Sequence, residues 1–136
     1  MEHLAIMDTK TIDLILSGKK LIESRFSKNK IAPFHTINEG DIVYLKVSGG
    51  LVRATFIAGQ IISFEKLNIK KVKEIKRLYK QEINADDNFW NNKQYSNYGT
   101  LIEIKAPQVI YPFSIRKLNR QAFISYDGNL KEYLIK

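Results

Sequence analysis

Three charged side chains within a stretch of six residues, Lys20, Glu23 and Arg25, are the part of this sequence best suited to chemistry. They follow a glycine in the run Gly18-Lys19-Lys20-Leu21-Ile22-Glu23-Ser24-Arg25, which reads as a helix end leading into a strand. Side chains alternate along a strand, so Leu21, Glu23 and Arg25 share one face, and Ile22, Ser24 and Phe26 share the other. Lys20 stands at the turn, with a side chain long enough to reach over the face of Glu23 and Arg25. A lysine and an arginine converging on a pocket can bind phosphate. A carboxylate beside them can accept hydrogen bonds from a base edge. The plain alternative is an exposed charge pair of small energetic value.

Other catalytic templates are poorly represented. There is no cysteine, which excludes disulfides, thiol nucleophiles and thiolate metal sites. His3 and His35 lie far apart, without metal-binding spacing. Nothing in the sequence recommends either for a Ser-His-Asp triad, and we expect His3 at a strand edge and His35 in a loop. Gly18-Lys19 lacks the rest of a P-loop, and no G-x-S-x-G occurs. The reading calls for no metal and no cofactor. The first residues carry no signal-peptide pattern and no apolar run approaches bilayer length, so we expect a soluble, cytoplasmic protein with no membrane contact.

The elements that must position these residues are read from periodicity. The length of 136 residues is that of one domain, spanning 1–136, large enough to bury a core without disulfides. Leu4 to Ile6 reads as an opening strand. Asp8 or Thr9 caps a helix with a stripe of Ile12, Ile15 and Leu16, and Gly18 closes it. Ser27 to Asn38 is a loop, Ile42 to Val47 a strand, Ser48-Gly49-Gly50 a hairpin turn, and Leu51 to Phe64 a long β run bent at Gly59. Asn68 caps a second helix reaching Ile83. Asn84 to Gly99 is a packed loop carrying Phe89, Trp90, Tyr95 and Tyr98. Leu101 to Lys105, Val109 to Phe113 and Gln121 to Tyr126 are short strands, and a frayed tail follows Asp127-Gly128. About six strands in mostly hairpin order, with two or more helices, fit an α+β fold built on a small, bent β-barrel.

The net charge of +8 is concentrated. Residues 66–80 hold seven basic residues and one acid, Glu74. Lys70, Lys73, Arg77 and Lys80 fall within an arc of roughly 80° opposite the apolar stripe of the second helix. Such a face either tracks a phosphate backbone or is simply solvated. Arg116, Lys117 and Arg120 form a second basic cluster. Among the four aromatics of the Asn84–Gly99 loop, Trp90 and Tyr98 are the candidates for stacking on unpaired bases, and the others pack.

Gly18, Lys20, Glu23 and Arg25 match G-x-K-x-x-E-x-R, which resembles the signature of the ASCH domain (activating signal cointegrator homology), a member of the PUA-like superfamily. The resemblance covers roughly residues 3–65, and Gly99 to Ile104 is similar to a late strand of that family. It implies a PUA-like β-barrel whose cleft is lined by the signature residues. It also implies RNA or a nucleotide as partner, with Gly18, Lys20, Glu23 and Arg25 at the cleft and the basic helix guiding the strand. Some relatives hydrolyse, one bacterial group cleaving the amide of acylated cytidine and others RNA. In the amidohydrolase group the signature lysine is catalytic, a threonine stands where this sequence has Glu23, and a glutamate follows the central strands. Lys20 and Glu23 would be the catalytic pair here, with Glu65, Glu74 or Glu82 as the additional carboxylate. A small hydrolase and a protein-interaction module with a vestigial cleft therefore stand beside the binding reading.

Overall fold

The computed structural model describes residues 1–133. Asp8 opens the first helix as expected, its side chain accepting a hydrogen bond from the Thr11 N–H at 2.8 Å. That helix, α1 (Thr9–Leu16), follows strand β1 (Glu2–Met7). It ends where Gly18 takes φ +75°, a conformation that L side chains adopt only with strain. The turn directs the Lys19 and Lys20 N–H groups onto the Leu14 carbonyl and releases the chain into β2 (Ile22–Ser27).

The remaining elements are β3 (Ile42–Val47), β4 (Val52–Phe64), α2 (Ile69–Ile83), α3 (Asp87–Lys93), β5 (Tyr98–Phe113), β6 (Phe123–Tyr126) and a 3₁₀ turn at Leu130–Tyr133. The six strands form one sheet in the order β2-β5-β4-β3-β1-β6. β1 pairs parallel with β3, and every other pair is antiparallel. The sheet curls into a half-barrel, the α+β architecture expected.

Its inner face carries Ala5, Val43, Leu45, Phe56 and Ile102, covered by Ile12 and Ile15 of α1. Two further apolar clusters lie on the outer face. One, around Leu4, Tyr126 and Leu130, packs the end near β6. The other sets Phe26 of β2 and Leu101 of β5 against Val72, Ile75 and Ile83 of α2 and Trp90 of α3. Phe26 thus packs outward, and Glu23 and Arg25 are left to the inner face, as the alternation predicts.

Four local expectations change. The Asn84–Gly99 loop contains α3, whose N-cap Asp86 accepts from the Phe89 N–H at 2.9 Å. The strands expected at Leu101–Lys105 and Val109–Phe113 are one strand, β5, because Ala106 takes φ +48° and absorbs the irregularity before Pro107. Pro107 and Pro112 fall in the half of β5 that pairs with β4 alone, where a missing N–H is tolerated. The tail after Gly128 is packed rather than frayed as far as Tyr133, with Leu130 fully buried. Its remainder, residues 134–136, lies outside the described residues. His3 is the fourth. It is fully buried inside the sheet, since β1 lies between β3 and β6.

The expected bend at Gly59 appears as a shift in the β4–β5 register between Ala58 and Ile61. No described helix is long and apolar enough to cross a membrane.

Candidate functional site

β2 is an edge strand, paired only with β5. Its free edge, α1, the Ser27–Asn38 loop, the α2–α3 turn and the segment before β6 enclose a cavity of about 700 Å³. Lys20, Glu23 and Arg25 all line it. Glu23 stands opposite Ile102 and Arg25 opposite Thr100 across the β2–β5 ladder, so all four share the inner face. The sequence signature is thereby brought to one place, with Lys20 Nζ 3.9 Å from Glu23 Oε1 and Arg25 Nη2 3.7 Å from Glu23 Oε2.

Each cation is also engaged elsewhere. Lys20, 5% exposed, donates from Nζ to the Ile83 carbonyl at 2.5 Å. Ile83 is the last residue of α2, where unsatisfied carbonyls favour a cation. The same helix end accepts the Leu21 N–H at the Glu82 carbonyl, and the Asn84 side chain donates to the Lys19 carbonyl at 2.9 Å. Three hydrogen bonds thus fasten residues 19–21 to the C-terminus of α2. Burial pulls the Lys20 ammonium below the ordinary lysine pKa, opposed by the Glu23 carboxylate and reinforced by the Arg25 guanidinium. Arg25 spans the gap between the sheet edges. Its Nη2 donates to the Ile6 carbonyl at 3.2 Å and its Nη1 to the Ala122 carbonyl at 3.3 Å, while the guanidinium carbon lies 5.5 Å from the Phe123 ring centre.

Glu23 is different. Oε1 accepts from the Ser24 N–H at 3.0 Å, but Oε2 is buried with no hydrogen-bond partner. Thr100 Oγ1, on the same face, is also buried and unpartnered. Native proteins rarely leave such acceptors unsatisfied. The cavity walls supply apolar surface from Phe34, Phe89 and Tyr98, with Phe34 and Tyr98 in edge contact at 5.0 Å. The arrangement can hold a flat ligand with hydrogen-bond donors on one edge.

The other candidates lie elsewhere. Gly18 shapes the turn and does not line the cavity. Lys70, Lys73, Arg77 and Lys80 are exposed along α2, outside the lining, and Arg77 is paired with Glu74. Glu65, Glu74 and Glu82 are absent from the lining. Of the stacking candidates, Tyr98 lines the cavity, whereas Trp90 is 3% exposed and packs on Phe26 and Phe89. Arg116, Lys117 and Arg120 lie in the β5–β6 connection, just before the lining residues Gln121 to Phe123. Reading the sequence missed Thr100, Lys10 and Lys93 in the lining. Thr100 sat within the run likened to a late family strand, but its facing needed the β2–β5 register. His35 is an exposed loop residue. Among the described residues, no group of three His, Asp or Glu is placed to hold a metal ion.

The curled six-stranded sheet is the ASCH-domain fold, as its likeness to solved structures shows. The crystal structure of ASCH from Zymomonas mobilis matches with a TM-score of 0.72 at 13% identity, covering 97% of this chain and 92% of that one. A mutant of that protein matches at 0.73 and 13%, covering 96% and 94%. No protein-family model and no curated protein matches the sequence.

Proposed function

We propose that this chain binds RNA or a nucleotide, with a base seated in the cavity at the edge of β2. The observation that carries this reading is the buried Oε2 of Glu23, ion-paired with Arg25 at 3.7 Å but accepting no hydrogen bond, inside an aromatic-walled cavity shared with Lys20 and Arg25. A base amino or imino group donating to Oε2 would relieve the cost of leaving a buried acceptor unmade. Lys20 would donate to an acceptor on the same edge, and Tyr98 would supply a stacking surface. The exposed basic face of α2, with Lys70, Lys73, Arg77 and Lys80, would hold the flanking phosphates and make affinity depend on salt. The RNA association implied by the resemblance adds to this reading, and a cytoplasmic setting belongs with it.

Fluorescence anisotropy with single-stranded oligoribonucleotides tests it. We expect binding at low salt that falls steeply as salt rises. Glu23→Gln, which keeps the shape of the side chain, should weaken it, as should Lys20→Ala. Absence of binding to any RNA or nucleotide at low salt would overturn the reading.

A second reading is favoured by the lowered pKa of Lys20, which increases the neutral amine available as nucleophile or base. The chain would then hydrolyse a modified nucleoside or RNA, with Glu23 moving the proton. Turnover of acylated nucleosides or RNA that is lost in Lys20→Ala supports it, and turnover that survives the substitution excludes the lysine.

A further inference from the structure

We infer that the cavity takes a nucleotide whose 5′-phosphate is held at the mouth by Lys10 of α1 and Lys93 of α3, leaving Lys20 and Glu23 to the base. This rests on the reading of the cavity as a nucleotide site. It assigns the phosphate to two residues outside the signature.

A phosphate takes charge-assisted hydrogen bonds most readily from cations whose donors are not already engaged by the protein. Lys20 and Arg25 are poorly placed for that. Turning Lys20 towards a phosphate would uncap α2 at Ile83, and turning Arg25 would release the carbonyls of Ile6 and Ala122. Both belong to the inner part of the site, Lys20 being almost wholly buried. Lys10 and Lys93 line the same cavity from two different helices. Lys10 is exposed and Lys93 half-buried, and neither makes an ion pair among the described residues. Lys93 Nζ sits 5.9 Å from the Phe89 ring centre, over an aromatic that also lines the cavity.

The carboxylates near them already serve the backbone. Asp8 and Asp86 are the N-caps of α1 and α3, accepting from Thr11 and Phe89. The lining carries four cations (Lys10, Lys20, Arg25, Lys93) against three carboxylates (Asp8, Glu23, Asp86). The one excess cation belongs to the inner group, where Lys20 and Arg25 face Glu23 alone. Lys10 and Lys93 are matched in number by Asp8 and Asp86, so an anion would be drawn to them by their unpaired ammonium groups and not by a net charge at the mouth. The inner end is complementary in the other sense. Glu23 Oε2 and Thr100 Oγ1 are buried without a hydrogen bond, and Phe34 and Tyr98 form a wall. The volume lies within the roughly 300–1,000 Å³ of small-molecule sites. A ligand with hydrogen-bond donors on a planar end and an anion on the other fits both ends, and a nucleotide has that layout.

The test is calorimetric titration with the four ribonucleosides, their 5′-monophosphates and a short single-stranded oligoribonucleotide. We expect at least one monophosphate to bind about tenfold more tightly than its nucleoside. Combining Lys10→Ala with Lys93→Ala should remove that margin while nucleoside affinity and the thermal midpoint stay unchanged. A Lys10→Gln, Lys93→Gln pair should do the same with the side-chain length retained. If the nucleotide is a unit of RNA, the oligoribonucleotide binds and its log-affinity against log-salt slope drops by roughly one in the double variant, since the two lysines neutralise one phosphate. If it is a free nucleotide, monophosphates bind and the oligoribonucleotide does not. Equal affinity for nucleoside and monophosphate, or a margin that survives both double variants, overturns the phosphate assignment and leaves the cavity reading intact. Failure of nucleosides, monophosphates and RNA alike removes the cavity reading itself.

Discussion

Arg25 illustrates how one side chain can serve a sheet and a site together. It leaves β2 on the inner face and donates to carbonyls of two other segments, 19 and 97 residues away. Removing it takes a charged donor from the Ile6 carbonyl and leaves the Ala122 carbonyl with the Ile6 N–H at 2.8 Å, so the side-chain bridge across the open edge of the half-barrel is lost. We expect Arg25→Ala to cost about 1–3 kcal/mol in urea unfolding, since these are hydrogen bonds to a charged group. Arg25→Lys should recover only part of that, because an ammonium cannot reproduce the planar fork. Wild-type stability in Arg25→Ala would show that the bridge does not hold the edges. The alternation of β2 revealed which face Arg25 takes. Its partners were not legible, because nothing local marks Ile6 and Ala122 as facing the far edge of the sheet.

At the level of elements, the packing of β5 on β2 admits a sharp test. Gly99 lies opposite Phe26, and a Cβ there would meet the Phe26 ring at 2.9 Å and Leu67 Cδ1 at 3.2 Å. Gly99→Ala should overpack this contact and cost roughly 1–3 kcal/mol. A melting curve superimposable on wild type would contradict the tight contact. Elements defined by local pattern were legible in the sequence. The capped stripes of α1 and α2, the β3 run and the Ser48–Gly50 turn all stand where their residues put them. The short α3 escaped notice because it buries only Trp90 among many polar residues, so no periodic stripe announces it. The continuity of β5 was hidden by its prolines, which are tolerated only because that half of the strand lacks a second neighbour. The candidate site was half legible. Its inner charges lie on one strand face, but the walls that complete it come from elements brought in by the fold.

Across the whole molecule, His3 links the most distant parts of the chain. Its Nε2 lies 2.7 Å from Asp41 Oδ2 and its Nδ1 2.8 Å from Ser125 Oγ, which in turn lies 2.8 Å from Thr36 Oγ1. Burial holds the imidazole below its ordinary value of 6.5 despite the raising influence of Asp41. Burial pushes Asp41 upward, but hydrogen bonds from His3 and Asn38 hold it below its ordinary 3.8. The unfolded chain therefore binds a proton at His3 more readily than the folded one. Stability from this group is complete above pH 6.5 and falls as pH drops below that towards the folded pKa. The Asp41 contribution is lost only below pH 3.8, in a separate window. We expect the urea midpoint to decline between pH 7.5 and 5, and His3→Gln to flatten that decline. An identical slope in the variant would locate the effect in other groups.

The cavity has no local version. Its walls come from residues 6–14, 20–34, 84–100 and 121–123, so it exists only when the whole chain has folded. Any occupant is then selective for the native state and raises its stability by mass action, by about 2.7 kcal/mol at a free concentration one hundred times its Kd. Heat resistance in the presence of a compound becomes a direct report on occupancy, and a collection of nucleotides can be screened by melting temperature alone, with no assay of activity.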